Sequence, residues 1–192
     1  MPRSADTASH AVASLRARIA GYAVDMVIFA AISLVMLVIA GFVLLVSTNW
    51  AQDDASDPQF YTFLSIIGVG IPSIWTAMNL LLLRARAQTG GQYVAGIRVV
   101  REDGERLSGR DAVLWWLCFN PLLFSWPMAL VACLPLSAVI ALALSRVTIV
   151  AFGVVVTICF AAPLIALAAA ALDAENRALH DRIIGTRLVP AG

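Results

Sequence analysis

Residues 112–172 run for 61 positions with one charged side chain, Arg146. Residues 19–47 form a second apolar run, interrupted only by Asp25. Runs of this length constrain the fold more than anything else in the chain. A helix over 19–47 would be roughly 43 Å long at 1.5 Å per residue, more than the roughly 30 Å hydrocarbon core of a bilayer. It is too long for a signal-peptide core, and no small-x-small cleavage site follows it. It is therefore expected to be a permanent span. Only 13% of the residues are charged and mean hydropathy is +0.88. A soluble domain carries about 25% charged residues. Too few charges remain to coat a globule, which excludes a soluble enzyme, a disordered chain and a nucleic-acid binder.

Four spans are expected, near 19–47, 61–83, 112–133 and 148–172, in an all-α membrane protein with one domain, 1–192. Pro121, Pro127 and Pro135 divide the long apolar stretch. Pro72, Gly68 and Gly70 lie inside the second span, where neighbouring helices can satisfy freed backbone groups. All 13 basic residues are arginine. Three lie in the N-terminal segment, six in the loop 84–111, three in the tail 173–192 and one at 146. With four spans, twelve of the thirteen fall on one side. The positive-inside rule then predicts a multi-pass cell-membrane protein with both termini and the central loop in the cytoplasm. Trp50 and the pair Trp115/Trp116 are expected at interfaces, as an aromatic belt.

A motif recurs after each even-numbered span. Gln92–Val100 and Asp181–Val189 both read x-x-x-x-Gly-x-Arg-(Val/Leu)-Val, with Arg98 and Arg187 in matching slots. Asp103-Gly104, just after the first copy, is a hairpin signal. These features predict a short cytoplasmic strand at Ile97–Arg101, with Gly185–Val189 pairing with it or mirroring it.

Three segments together resemble the RDD family of small bacterial membrane proteins. Arg18 and Asp25 stand seven apart at the start of span one, as in that family. Gln88-Thr89-Gly90-Gly91-Gln92 leads into Gly96-Ile97-Arg98-Val99-Val100 and Asp103-Gly104. Leu179-His180-Asp181 runs on to Gly185-Thr186-Arg187-Leu188-Val189, which looks like the family's closing element. The resemblance makes Arg18, Asp25 and Asp181 the arginine and two aspartates of the family. It implies cation/proton exchange, a link known for some members. Two departures stand out. Gln92 replaces the family's usual lysine, and Trp115 stands near the place of an arginine early in span three.

Asp25 is the one carboxylate inside a predicted span, and such a residue is a functional candidate by default. If residues 27–46 fill the core, Asp25 sits at the cytoplasmic boundary. Two readings stay open. Asp25 forms a structural pair with Arg18, Arg98 or Arg187, or it binds a monovalent cation or proton. His180 beside Asp181 is either a proton sensor at the cytoplasmic mouth or a packed helix end. Ser73, Thr76 and Asn79 are interhelical glue or the lining of a polar path. Cys118, Cys133 and Cys159 lie in apolar runs without metal-ligand spacing, so no metal site, cofactor or disulfide is expected. The first functional expectation is a transporter or transport-related protein, with Asp25 and Asp181 as carboxylates and Arg18 as their partner. So small a bundle would need a homo-oligomer to enclose a path. The alternative is a non-transporting scaffold or accessory subunit embedded in the lipid bilayer. No enzymatic activity is expected, since no nucleophile motif or phosphate loop is present.

Overall fold

The computed structural model describes residues 12–118, 157, 161 and 164–191. The first helix, α1 (Leu15–Ser47), is capped by the Ser14 side chain, which accepts from the Ala17 amide at 3.2 Å. It buries Gly21, Asp25, Phe29 and Ala40, the first three at a spacing of four on one face. Its other faces expose Val27, Leu34, Val38 and Phe42. A helix apolar on every face belongs in lipid rather than on a water-soluble surface.

The second long helical segment comprises α2 (Asp57–Ser65), a π-helical turn at Ile66–Gly70, and α3 (Ile71–Arg86). Pro72 stands in the first turn of α3, directly after the π turn. The ring cannot accept a regular helical neighbour four residues back, and the wider turn accommodates it. The expected span 61–83 thus lies within an almost continuous helix. Two helical segments among the described residues, 15–47 and 57–86, are long and apolar enough to cross a membrane. The expected spans near 112–133 and 148–172 lie largely outside the described residues. Their described parts are α5 (Gly109–Leu117) and α6 (residues 164–172), both helical.

The chain leaves α3 through Ala87, which is left-handed (φ 55°), and enters α4 (Gly90–Val94), Gly96 and β1 (Ile97–Arg101). After α6 the sequence of events repeats. Asn176 is left-handed (φ 52°), then come α7 (Leu179–Ile184), Gly185 and β2 (Thr186–Pro190). Gly96 and Gly185 both take positive φ, 65° and 70°, where a side chain would be strained. The two copies of the motif therefore share one structural role: short helix, left-handed glycine, strand.

The strands pair antiparallel, and Val99 faces Leu188. These residues occupy the same slot of the repeat, so the two elements meet about a local two-fold axis. Asp103-Gly104 does form a turn, with the Gly104 amide donating to the Arg101 carbonyl at 2.9 Å. The partner of β1 is nevertheless the distant tail and not an adjacent strand.

The two helix–glycine–strand units joined through β1 and β2 form a clasp, and its Ile97, Val99 and Leu188 pack with Phe29, Trp75, Leu83, Trp115 and Trp116 in one apolar core. Trp75 meets Phe29 and Trp116 edge-on, with ring centroids 5.2 and 6.2 Å apart. The belt expected at Trp115/Trp116 is corrected here, because both rings are fully buried. Core packing, together with a hydrogen bond from Trp115 described below, holds them away from lipid. Trp50 is exposed, as a belt residue would be. Asn79 is buried but donates to the Trp75 carbonyl of its own helix at 2.9 Å, while Ser73 is exposed. Among the described residues, Ser73, Thr76 and Asn79 do not form a set of interhelical hydrogen bonds.

Candidate functional site

The clasp is fastened to the helices by two buried carboxylates. Asp25 projects from α1 toward the start of α4. Its Oδ2 accepts from the Thr89 hydroxyl at 2.6 Å and its Oδ1 from the Gly91 amide at 2.7 Å. Thr89 is the N-cap of α4, and Gln92 completes a capping box by accepting from the Thr89 amide at 2.9 Å. Gly91 lies directly against the α1 backbone at Gly21.

Asp181 holds the second copy. Its carboxylate accepts from Arg18 NH1 at 2.6 Å, the Trp115 indole at 2.9 Å, the Ala178 amide at 3.1 Å and the Thr186 hydroxyl at 3.2 Å. These donors come from α1, α5, the turn before α7 and β2. A carboxylate offers about four lone-pair positions, and here each has a donor. Burial pushes the Asp181 carboxyl up, but His180, the Arg18 charge and the hydrogen bonds outweigh it and hold it below the usual range.

His180 is buried edge-on against Trp115, with ring centroids 4.8 Å apart. Its Nε2 lies 3.7 Å from Asp181 Oδ1. Burial pushes its pKa down, and Arg18 adds to that, while Asp181 opposes it. The folded protein therefore keeps His180 neutral where an unfolded chain would protonate it. Stability from this group is present above the ordinary histidine value of about 6.5 and is lost as pH falls below it. The apparent unfolding temperature in detergent should drop between about pH 7.5 and about pH 5.5. His180→Gln should flatten that slope, and an unchanged slope would contradict the assignment.

The arginines expected to share these carboxylates are divided. Arg18 pairs with Asp181 and not with Asp25. Arg98 is exposed opposite Val189, and Arg187 lies opposite Val100. The expected pair of Asp25 with Arg18, Arg98 or Arg187 is therefore replaced by hydrogen bonds to α4. The reason is proximity: the contact of Gly91 with α1 places the Thr89 hydroxyl and the Gly91 amide directly on the two Asp25 oxygens. A third carboxylate, Asp173 at the end of α6, lies outside the motifs of the sequence. It accepts from Arg182 NH2 at 2.5 Å and from the Arg177 amide at 2.8 Å. The Arg182 bond, then the Arg177 amide, hold its carboxyl far below the ordinary range. Its only sequence signal was a carboxylate shortly after a span, followed by Arg177 and Arg182.

The Arg–Asp–Asp set, spaced as it is and tied to this clasp, has a counterpart among known sequences: the RDD family profile matches residues 12–185. The chain belongs to the RDD family. RDD proteins are membrane proteins, so the apolar helices lie in a lipid bilayer. No curated protein and no solved structure matches the chain. The two departures from the RDD pattern both have structural work here. Gln92 caps α4, and Trp115 supplies to Asp181 a neutral N–H near the place where the family carries an arginine. Arg18, Tyr22, Asp25, Gln92, Trp115 and His180 also line a cavity of about 220 Å³ between α1, α6 and the clasp.

Proposed function

We propose that this RDD protein is a non-transporting membrane scaffold or accessory subunit. Its Arg18, Asp25 and Asp181 lock the cytoplasmic clasp to the helix bundle. The observation that carries this reading is the saturation of Asp181 by donors from four separate segments. A carboxylate so enclosed has no open position for an ion. The arginine distribution supports four spans with both termini in the cytoplasm. The reading includes no enzymatic step and no cofactor.

One observation favours the second reading, cation or proton transport. Asp25 uses two of its acceptor positions and borders the cavity. Asp25→Asn separates the two. In the scaffold, the new amide N–H₂ would either face the Gly91 N–H, a pure donor, or take the Thr89 hydroxyl as acceptor and leave that hydroxyl proton without its own acceptor, at a cost of about 1–3 kcal/mol and a lower folded yield. Wild-type protein in proteoliposomes should then give no proton flux driven by Na⁺, K⁺ or Li⁺ above that of empty vesicles. Flux in the wild type that vanishes in Asp25→Asn at matched folded amounts would replace the scaffold with a transporter, with a homo-oligomer as its natural form.

A further inference from the structure

The cavity bordered by Arg18 poses a question that the clasp does not answer. The Arg18 side chain is 9% exposed and uses NH1 for Asp181, yet its Nε and NH2 are buried without a hydrogen-bond partner among the described residues. Buried guanidinium donors left unmet cost about 1–3 kcal/mol each, so an acceptor is expected there. His180 Nδ1, in the same cavity wall, also lacks a partner among the described residues. Asp25, Gln92, Tyr22 and Trp115 are the other polar members of a wall that is otherwise apolar. Ile19, Leu164 and Leu167 are its outward members, 45%, 66% and 41% exposed, so the cavity opens on the lipid side between α1 and α6.

The direction of the helices orders these features. α1 runs from Arg18 into the bilayer, and α6 runs toward His180. The cavity therefore has a polar end at Arg18 and His180 and an apolar end at Leu164 and Leu167. Arg18 also stands in the first turn of a 33-residue helix that has no acidic side chain in that turn, so the helix dipole adds positive potential. Asp25 borders the cavity, but its two oxygens are engaged by Thr89 and Gly91.

We propose that this cavity is a binding site for one anionic phospholipid, its phosphate on the open edge of Arg18 and an acyl chain along Ile19, Leu164 and Leu167. A guanidinium edge recognises a phosphate through paired, charge-assisted hydrogen bonds. The volume is below that of drug-sized pockets, roughly 300–1,000 Å³, which suits a headgroup and the first part of a chain lying partly in bulk lipid. The proposal goes beyond the scaffold reading and depends only on membrane placement.

The test is native mass spectrometry of the full chain in detergent with dioleoylphosphatidylglycerol, dioleoylphosphatidylcholine or glycerol 1-phosphate added. One phosphatidylglycerol per chain should survive detergent removal, retained about tenfold better than phosphatidylcholine. Leu167→Trp, a partly exposed wall position, should fill the apolar end and abolish that retention without changing the unfolding temperature. Arg18→Lys should reduce the preference severalfold, since lysine lacks the fork. Equal retention of phosphatidylcholine would overturn the proposal. Glycerol 1-phosphate binding as well as the lipid would mean a free phosphate and overturn the lipid assignment. These wild-type comparisons decide the matter whether or not either variant folds.

Discussion

Gly91→Ala is expected to cost the protein most of its folded yield. A Cβ at this position would stand 1.9 Å from the Gly21 carbonyl oxygen, 2.7 Å from Asp25 Cγ and 2.8 Å from the Asp25 amide nitrogen. Two of these atoms belong to the α1 backbone, so no rotamer change relieves the contact. α4 would have to withdraw from α1. That movement breaks the Gly91–Asp25 and Thr89–Asp25 hydrogen bonds and pulls on β1, which follows two residues after α4. Overpacking costs about 1–3 kcal/mol, and each buried polar group left unpaired adds about 1–3. Against a total stability of about 5–15 kcal/mol, the sum is a large fraction.

Two controls sharpen the expectation. Gly21→Ala places its Cβ 3.4 Å from the Gly91 carbonyl oxygen, an ordinary contact. It should change stability by less than about 1 kcal/mol, helped by the helix propensity of alanine. Gly41→Ala meets nothing within 4 Å and should be neutral or mildly stabilising. Fluorescence-detected size exclusion and thermal unfolding in detergent give all three. If Gly91→Ala matched Gly41→Ala, the close approach of α4 to α1 would be wrong.

This contact also marks how far the sequence could be read. The apolar runs gave α1 and the second helical segment, because lipid leaves a backbone few alternatives to helix. The repeat around Gly96 and Gly185 pointed to the strands, since a left-handed glycine before a β-branched run is a local signal. RDD membership followed from three motifs with their spacing. The partners of the charges were not legible in this way. Arg18 and Asp25 share a helix face seven residues apart, which made a pair between them attractive on paper. The actual partners depend on where α4 and α7 dock, and that is set by a glycine contact and by the meeting of two strands far apart in sequence. The burial of Trp115 has the same origin. Its position beside a polar loop looked interfacial, whereas Asp181 and the neighbouring rings draw it inward. The role of Thr89 has a local sequence signal, because Thr89-x-x-Gln92 is a capping box.

Asp181→Asn should be the most damaging single change in a side chain outside the spans. The substitution removes the charge that Arg18 NH1 contacts at 2.6 Å and leaves a buried guanidinium unpaired. Breaking a buried pair by removing one partner typically costs about 3–5 kcal/mol. The new amide group would also point its own N–H₂ at donors, whichever way it turned, because Arg18, Trp115, Ala178 and Thr186 all donate to this carboxylate. The loss should be coupled to Arg18. In a cycle with Arg18→Met, the double variant should be less destabilised than the sum of the singles by about 0.5–3 kcal/mol, since the stranded charge is gone. Full recovery is not expected, because Trp115 and Thr186 still lack their acceptor. Acid unfolding offers an independent check. With its folded pKa held below the ordinary carboxylate value of about 3.9, Asp181 contributes stability that is present above that value and lost as pH falls through the lower one. Wild-type protein should lose stability in that acid range, after the separate decline tied to His180 below about 6.5, and Asp181→Asn should lose less there. Additive effects in the cycle, with acid profiles that coincide, would mean that Arg18 and Asp181 are neighbours without being a working pair, and the lock at the heart of the scaffold reading would fail.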